Sequence, residues 1–545
     1  MLKNLFSIKF KSVHGAAILI GCFSLLSKIL GLVRDKILAH QFGAGNILDA
    51  YYAAFRLPDL IYNLLILGAL SAGFIPVYLE ARQKSKDDSD RLVSSVFNIL
   101  LIALAIFSVL IILFAPYFIK IIVPGFNPAK QAMTVNLTRI MAFSPLFLGL
   151  SSLFGGILQS RKRFLMFSVA PLFYNIGIIF GALFLVKFFG VYGLGMGVVL
   201  GAFLHMVMQA PVAASLGFRF NFKKILSPEV KKNTGTIFKL MLPRVLGTAV
   251  AQFNLFVITI FASGLALGSV AVYSFASNLA SLPVDLFGVS YAIAVFPALG
   301  EDAARGDLKK IIGDVSRAIG RVLFFIVPSM ILFLLLRAQI VRVVLGSGKF
   351  DWSATIRTAD TLAFFVLSMF ASALIPLLAR VFYALKDTRT PLIAAAVSVL
   401  INIFFGVAFK IPFGVAGLAA AFSLSMVANL ALLYVLLKIR LGSLGEAEIL
   451  PSIFKISLSA LLMALVVQIL KYPLAGVLNL DTFFGIFLQG AIAGLAGIAI
   501  YAGLNFILKT KEILAIVSKI RGGVDPSASS GSAGRFMSLD KSVKV

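Results

Sequence analysis

Charged side chains occur within the first long apolar stretch of the chain, where a membrane-spanning helix is expected. This stretch carries Lys28, Arg34 and Asp35. At helical spacing, Ser24, Lys28, Gly31 and Asp35 fall on one face. Because ionisable groups at membrane depth are costly and usually face a cavity or a partner, this face predicts a polar cavity.

The second apolar stretch repeats the pattern. Asp49, Arg56, Asp59 and Asn63 also share one helical face. The later part of the chain offers a comparable set of polar residues within apolar stretches, namely Arg244, Gln252, Asn254, Asn278 and Asp285. We therefore expect a polar cleft lined by spans 1 and 2 on one side and by spans 7 and 8 on the other.

The charge balance of this cleft indicates the chemistry that it can perform. Its cations are Lys28, Arg34, Arg56 and Arg244, and its acids are Asp35, Asp59 and Asp285. Cations are in excess, and an arginine can hold phosphate oxygens through two parallel hydrogen bonds. The predicted ligand is therefore an anion that bears phosphate.

A structural role is the alternative for several of these charges. Arg34 or Lys28 could pair with Asp35 or Asp49 and lock two helices together, and Asp49 could reach an interface. The predicted binding residues are Lys28, Arg34, Asp35, Arg56, Asp59 and Asn278, with Asp49, Pro58, Arg244 and Pro283 as supporting or hinge residues.

Composition places these residues in a membrane protein. The 545-residue chain is 60% hydrophobic and 13% charged, and its mean hydropathy is +1.02. Soluble domains are about 45–50% apolar and about 25% charged, so a soluble enzyme and a disordered protein are excluded. One cysteine allows no internal disulfide, and with three histidines no metal centre is expected.

The apolar stretches predict an all-α, polytopic fold with about fourteen transmembrane helices. Their limits are 15–40, 48–79, 92–115, 134–159, 164–187, 190–216, 235–263, 268–298, 315–337, 356–384, 391–410, 412–438, 452–471 and 484–508. Most lysines and arginines fall in loops on one side, which predicts that both termini are cytoplasmic. These loops account for most of the net charge of +27 without nucleic acid.

A weak internal repeat relates two halves of the chain. Asn175-Ile176 and the later Phe189-Gly190-Val191 recur as Asn402-Ile403 and Phe413-Gly414-Val415. The offset spans six helices, so the halves are parallel repeats. We expect an N-terminal lobe at 1–230, a C-terminal lobe at 231–440, two further helices within 441–521 and a flexible cytoplasmic tail at 522–545. Pro58 and Pro283 occupy similar places in the halves and are the best hinge candidates.

Several motifs resemble the MurJ/MviN family over nearly the whole chain. They are Leu30-Gly31-Leu32-Val33-Arg34-Asp35, Phe42-Gly43-Ala44-Gly45, Phe55-Arg56-Leu57-Pro58-Asp59-Leu60, Phe74-Ile75-Pro76-Val77, Leu242-Pro243-Arg244, Gln252-Phe253-Asn254 and Phe382-Tyr383-Ala384-Leu385-Lys386-Asp387-Thr388. The resemblance implies the multidrug/oligosaccharidyl-lipid/polysaccharide exporter fold, with two six-helix lobes and two extra helices that form a groove for a lipid tail.

The resemblance also implies a function. Members flip lipid II, the undecaprenyl-diphosphate-linked peptidoglycan precursor, across the bacterial cytoplasmic membrane by alternating access. No cofactor is implied, and the partners are the lipid-linked precursor, membrane lipids and the cell-wall synthesis machinery; we expect a monomer. Lys28, Arg34, Asp35, Asp49 and Arg56 keep the family's charge type or identity.

The sequence departs from the family at other places. Tyr62, Asn63 and Leu67 stand where members usually carry arginine and an acid, and Asn278 stands where a cation is common. Ile258 and Gly406 stand near the acidic sodium ligands of some members. Sodium binding is therefore not expected.

Other functions remain open at this stage. A flippase for another lipid-linked oligosaccharide has the same fold, as does an exporter of drugs or cations, although an excess of cations disfavours the latter. A membrane scaffold that binds the precursor without moving it is a further alternative. The sequence shows no catalytic triad, no paired carboxylates and no phosphate-binding loop, so nothing in it indicates an enzyme.

Overall fold

The computed structural model describes residues 13–64, 75–216 and 228–520, and this part of the chain contains helices and connecting turns without a β-strand. The prediction of an all-α fold is confirmed. The helices are α1 (Val13–Phe42), α2 (Asn46–Ala54), α3 (Arg56–Tyr62), α4 (Ile75–Lys84), α5 (Lys86–Ile122), α6 (Pro128–Met141), α7 (Ser144–Ser160), α8 (Phe164–Phe180), α9 (Val186–Phe189), α10 (Tyr192–Ser215), α11 (Pro228–Ser263), α12 (Ser269–Pro283), α13 (Ser290–Arg305), α14 (Leu308–Leu335), α15 (Arg337–Val344), α16 (Trp352–Val366), α17 (Met369–Ala384), α18 (Arg389–Leu441), α19 (Glu446–Val477), α20 (Phe483–Ile507) and α21 (Lys511–Ile520).

Many of these helices are suited to a bilayer. Within the described ranges, nine helical stretches are long and apolar enough to cross a membrane, and α16 with α17, bent by 44°, makes a tenth if the pair is one span. Helix α18 counts once here, although Gly414 breaks its helical backbone. The multi-pass architecture is confirmed, whereas the count of fourteen spans stays a prediction.

The chain divides into two compact units. The first contains Met1–Asn278, Val344–Thr361 and Ala395–Ser425, and the second contains Leu279–Val343, Leu362–Ala394 and Met426–Val545. These units are defined by contacts in space, whereas the predicted lobes at 1–230 and 231–440 are defined by the sequence repeat. The lobes stay predictions, and the tail at 522–545 lies outside the described residues.

Positions related by the repeat have similar geometry inside the first unit. Gly190 and Gly414 share the same unusual backbone, with φ and ψ of 56° and −146° in one and 57° and −136° in the other. Glycine suits this conformation because it has no Cβ. Asn175 bonds to Ser27 and Asn402 bonds to Asn254, and both pairs are separated by 148 residues.

Two prolines interrupt the helices that bear the candidate site. Pro58 cannot donate to the carbonyl four residues earlier, and the helix breaks at Phe55, between α2 and α3. The Asp59 N–H to Phe55 carbonyl bond, 2.8 Å long, restores the ladder. Pro283 ends α12 and is followed by a π-helical turn at Val284–Val289. Each proline therefore coincides with a change of helix geometry.

Apolar side chains hold the helices of each unit together. In the second unit α14, α19 and α20 share a core around Phe324, Ile456, Met463 and Tyr501. The Tyr501 hydroxyl donates to the Phe324 carbonyl at 2.8 Å, which satisfies a buried polar group in that core.

Candidate functional site

Arg34 and Asp35 form the most connected polar cluster of α1. The Arg34 Nε and Nη2 both donate to Asp35 Oδ1, at 3.0 and 2.8 Å. The Arg34 Nη1 donates to Asn175 Oδ1 of α8 at 3.1 Å. Three of the five guanidinium N–H groups are therefore engaged, and the plane of the guanidinium is fixed.

The other Asp35 oxygen reaches α12. Asn278 Nδ2 donates to Asp35 Oδ2 at 2.9 Å, and Asp35 is only 2% exposed. The structure thus brings together three predicted site residues, Arg34, Asp35 and Asn278. In this geometry Asp35 is an acceptor for its neighbours and orients Arg34.

Arg56 has a different environment. Its Nε donates to Thr259 Oγ1 of α11 at 2.7 Å, and Thr259 in turn donates to the Leu255 carbonyl. Arg56 is half-buried, as is Asp59 one turn later. Among the described residues, the two terminal nitrogens of Arg56 and the carboxylate of Asp59 make no hydrogen bond and no contact ion pair, although the two opposite charges are close enough to attract each other.

Tyr52 adds a further unsatisfied donor. Its hydroxyl is buried and has no hydrogen-bond partner in the part of the chain that the structure describes. Its ring lies edge-on to Phe275 with centroids 5.6 Å apart, and the residue is close enough to Arg34 and Asp35 to interact with them electrostatically. A buried orphan hydroxyl is unusual and is expected to find an acceptor in a ligand or a water molecule.

Asp49 belongs to a separate, structural network. Lys130 Nζ of α6 lies 2.6 Å from Asp49 Oδ2, and both side chains are buried. The carboxylate also accepts the Gly268 N–H at 2.8 Å and the Ala271 N–H at 2.9 Å, at the start of α12. Negative charge at a helix N-terminus is favourable, so Asp49 ties α2, α6 and α12 together.

The remaining predicted residues lie as follows. Lys28 is half-buried on α1, Pro58 is buried in α3 and Pro283 is buried at the end of α12. The side chain of Arg244 lies outside the described residues, as does Leu67. Across the described part of the chain, no group of three histidine, cysteine or acidic side chains is arranged to hold a metal ion.

Sequence reasoning missed four residues of these networks. The sequence analysis names Asn175 only as part of the repeat, and it assigns no role to Lys130, Thr259 or Tyr52. Because a buried acid such as Asp49 requires a partner, its presence predicts a nearby cation, and Lys130 is that cation. Thr259 and Tyr52 carry no comparable signal because their neighbours are distant in the sequence.

Outside the spans, Asp387 organises the turn before α18. Its carboxylate accepts the backbone N–H groups of Arg389 and Thr390 at 3.0 Å each and the Thr390 hydroxyl at 2.8 Å. Arg440 Nη1 lies 2.7 Å away. Burial alone raises the pKa of Asp387, but these hydrogen bonds and the Arg440 charge outweigh burial, so the pKa lies below its ordinary value.

Comparison with known proteins adds independent evidence. The family model described as "Lipid II flippase MurJ" matches residues 38–484. A protein of Rhizobium meliloti (strain 1021) named "Probable lipid II flippase MurJ" is 28% identical over 535 residues, which cover 95% of this chain and 97% of that protein.

Solved structures agree with this match. The chain is similar to the structure titled "Lipid II flippase MurJ, inward closed conformation", with a TM-score of 0.74, 26% identity, and 92% of this chain and 99% of that chain covered. A multidrug resistance MATE family transporter of the MOP superfamily has a TM-score of 0.64 at 17% identity, covering 79% and 99% of the two chains, and shows the fold alone. With four fifths of its length matched by the family model and the same fold in a solved member, the chain belongs to the MurJ family of membrane flippases.

Proposed function

We propose that this protein moves lipid II from the inner to the outer leaflet of the bacterial cytoplasmic membrane by alternating access. Family membership supports this proposal, because the relatives that match over most of the chain carry that name. The protein is a transporter by family, and we expect no catalytic chemistry and no cofactor. N-in, C-in topology and a monomeric state are part of the proposal.

The single observation that carries the proposal at residue level is the unpaired end of Arg56. Its Nε is held by Thr259, while Nη1 and Nη2 make no hydrogen bond to the described residues. Two parallel N–H groups match two oxygens of a phosphate. A diphosphate headgroup supplies such oxygens, and its binding satisfies N–H groups of a half-buried cation that otherwise make no hydrogen bond.

The other site residues have supporting roles in this proposal. Arg34 is oriented by Asp35 and Asn175 and keeps two N–H groups for an anion. The orphan Tyr52 hydroxyl is a further donor. Asn278 donates to the second Asp35 oxygen and so helps to fix the carboxylate that orients Arg34. The helix breaks at Pro58 and Pro283 serve as hinges.

A second candidate is a flippase for another polyprenyl-diphosphate-linked glycan. The observation that favours it is the reduced number of cations, since Tyr62 and Asn278 occupy places that are usually charged in the family. Diphosphate recognition is the same in both candidates, so only the glycan and peptide differ.

Depletion of the protein in its host tests the proposal. We expect lipid II to accumulate in the inner leaflet and to disappear from the outer leaflet, where an impermeant reagent can label it. Complementation with the wild-type chain restores labelling. Accumulation of a different lipid-linked glycan, with lipid II unchanged in both leaflets, favours the second candidate and rejects the first.

A further inference from the structure

Arg139 is an intramembrane cation that the candidate site does not use. It lies near the end of α6, within a span of Pro128–Ser160. Its Nε donates to the Ile112 carbonyl of α5 at 3.0 Å. That carbonyl is free because its usual partner four residues later is Pro116, which has no N–H. The Arg139 Nε–H therefore replaces the backbone N–H that Pro116 does not offer to the Ile112 carbonyl.

The rest of the guanidinium has no partner in the part of the chain that the structure describes. Across the described residues Arg139 makes no ion pair and no other hydrogen bond. It lines a groove of about 370 Å³ between α5 and α6, whose walls include Pro116, Ile119, Val135 and Asn136. A charged fork is thus presented to an open groove with mostly apolar walls.

The surroundings of the groove indicate that it faces lipid. Large apolar side chains of α5 next to it are exposed, with Leu113 64%, Phe114 51% and Tyr117 65% accessible. Such a surface is unfavourable in water and favourable in a bilayer. The groove therefore opens toward the membrane and not toward a protein core.

The depth of Arg139 matches the outer leaflet under the predicted topology. Arg139 lies five residues inside the predicted span 134–159, so at 1.5 Å per residue its Cα lies about 7–8 Å below the outer end of that span. Helix side chains lean toward the N-terminus of their helix, here the outer end, so the guanidinium lies closer to the membrane surface than its Cα. An arginine at this depth is stabilised when a headgroup is drawn in to meet it.

We propose that this groove binds the headgroup of an anionic phospholipid of the outer leaflet, with its phosphate held by the terminal nitrogens of Arg139. Charge complementarity selects the anion, and the groove volume fits a phosphate and glycerol unit, while the exposed face of α5 receives the acyl chains. The groove is lined by neither Arg34 nor Arg56, and it takes a lipid that is not transported.

The test separates the structural and binding roles of Arg139. Pro116→Ala restores an N–H for the Ile112 carbonyl, so the guanidinium is no longer needed there. In this background Arg139→Gln removes only the charge. Each variant is purified in detergent and mixed with equal phosphatidylglycerol and phosphatidylcholine, and lipid adducts are counted by native mass spectrometry. We expect Pro116→Ala to retain phosphatidylglycerol and the double variant to lose about tenfold or more of it.

Two further variants keep the proposal falsifiable. Val135→Trp fills the groove without changing its charge, and we expect it to lose bound phosphatidylglycerol to the same extent. This variant tests the groove even if the double variant does not fold. Lys187→Gln removes an exposed cation elsewhere on the same unit and is expected to leave the adduct unchanged. Equal retention by the double variant, equal retention of phosphatidylcholine, or displacement by inorganic phosphate at the same concentration overturns the proposal.

Discussion

Arg34 and Arg56 differ in what their guanidinium groups already hold. Among the described residues, Arg34 donates to Asp35 and Asn175, whereas the only hydrogen bond of the Arg56 guanidinium runs from Nε to Thr259. The sequence places both arginines in the same cleft and assigns them equal roles. In the structure Arg56 has more free donors, so we expect it to contribute more to phosphate binding.

Tyr52 provides a test at the residue scale. Tyr52→Phe removes a buried hydroxyl that has no partner among the described residues. We expect the melting temperature of the purified protein to stay the same or rise, since an unsatisfied buried polar group costs about 1–3 kcal/mol. We expect flipping to fall several-fold if that hydroxyl donates to the substrate. Unchanged flipping removes Tyr52 from the site.

At the scale of elements, the Asp49 network joins three helices through one carboxylate. Asp49→Ala leaves Lys130 buried without an anion and removes the acceptor for two N–H groups at the start of α12. We expect a loss of about 3 kcal/mol in the free energy of unfolding.

Lys130→Met is the matched control for this prediction. Asp49 then keeps the Gly268 and Ala271 N–H groups, so we expect a smaller loss than in Asp49→Ala. Thermal unfolding of the purified variants measures both. A larger loss in Lys130→Met than in Asp49→Ala contradicts the role given to the helix N-terminus.

The Asp387 carboxylate in the turn before α18 is expected to make the stability of the folded protein depend on pH. Because the pKa of Asp387 is lower in the folded protein than in the unfolded chain, the folded state is stabilised above the unfolded pKa of about 3.9. This stabilisation is lost as the pH falls through the lower, folded pKa.

Comparison with Asp387→Asn measures this effect. We expect the wild type to have the higher melting temperature at pH 7, and the difference to shrink as the pH falls below about 4. A difference that grows as the pH falls refutes the assignment of a lowered pKa.

Most helices were predictable from the sequence, whereas the contacts between them were not. Apolar length located α10 and α20 within two residues at each end, whereas the predicted limits of α5 and α14 differ from the observed ends by up to seven residues. Pro58 and Pro283 marked places where helices change geometry. Periodicity also placed Asp35 on a polar face. The partners Asn175 and Lys130 could not be assigned, because residues 141 and 81 positions away are brought close only by tertiary packing.

At the scale of the whole molecule, the topology is testable by labelling. In a Cys22→Ala background, single cysteines at Lys349 and Lys310 replace exposed residues. The orientation with both termini inside predicts that an impermeant thiol reagent added outside labels position 349 and not 310. Lys349 donates its N–H to the His40 carbonyl at 2.9 Å, which places the 349 loop beside the end of α1. Labelling of position 310 from outside reverses the assigned orientation.

We propose that Arg56 binds the diphosphate of lipid II through its terminal guanidinium nitrogens. The measurement is the transfer of labelled lipid II between leaflets of vesicles that contain the purified protein, with Arg56→Lys as the decisive variant. We expect the wild type to transfer lipid II and Arg56→Lys to be about tenfold slower or worse at equal protein abundance, because lysine keeps the charge but lacks the two parallel N–H groups. Transfer at the wild-type rate by Arg56→Lys contradicts the claim.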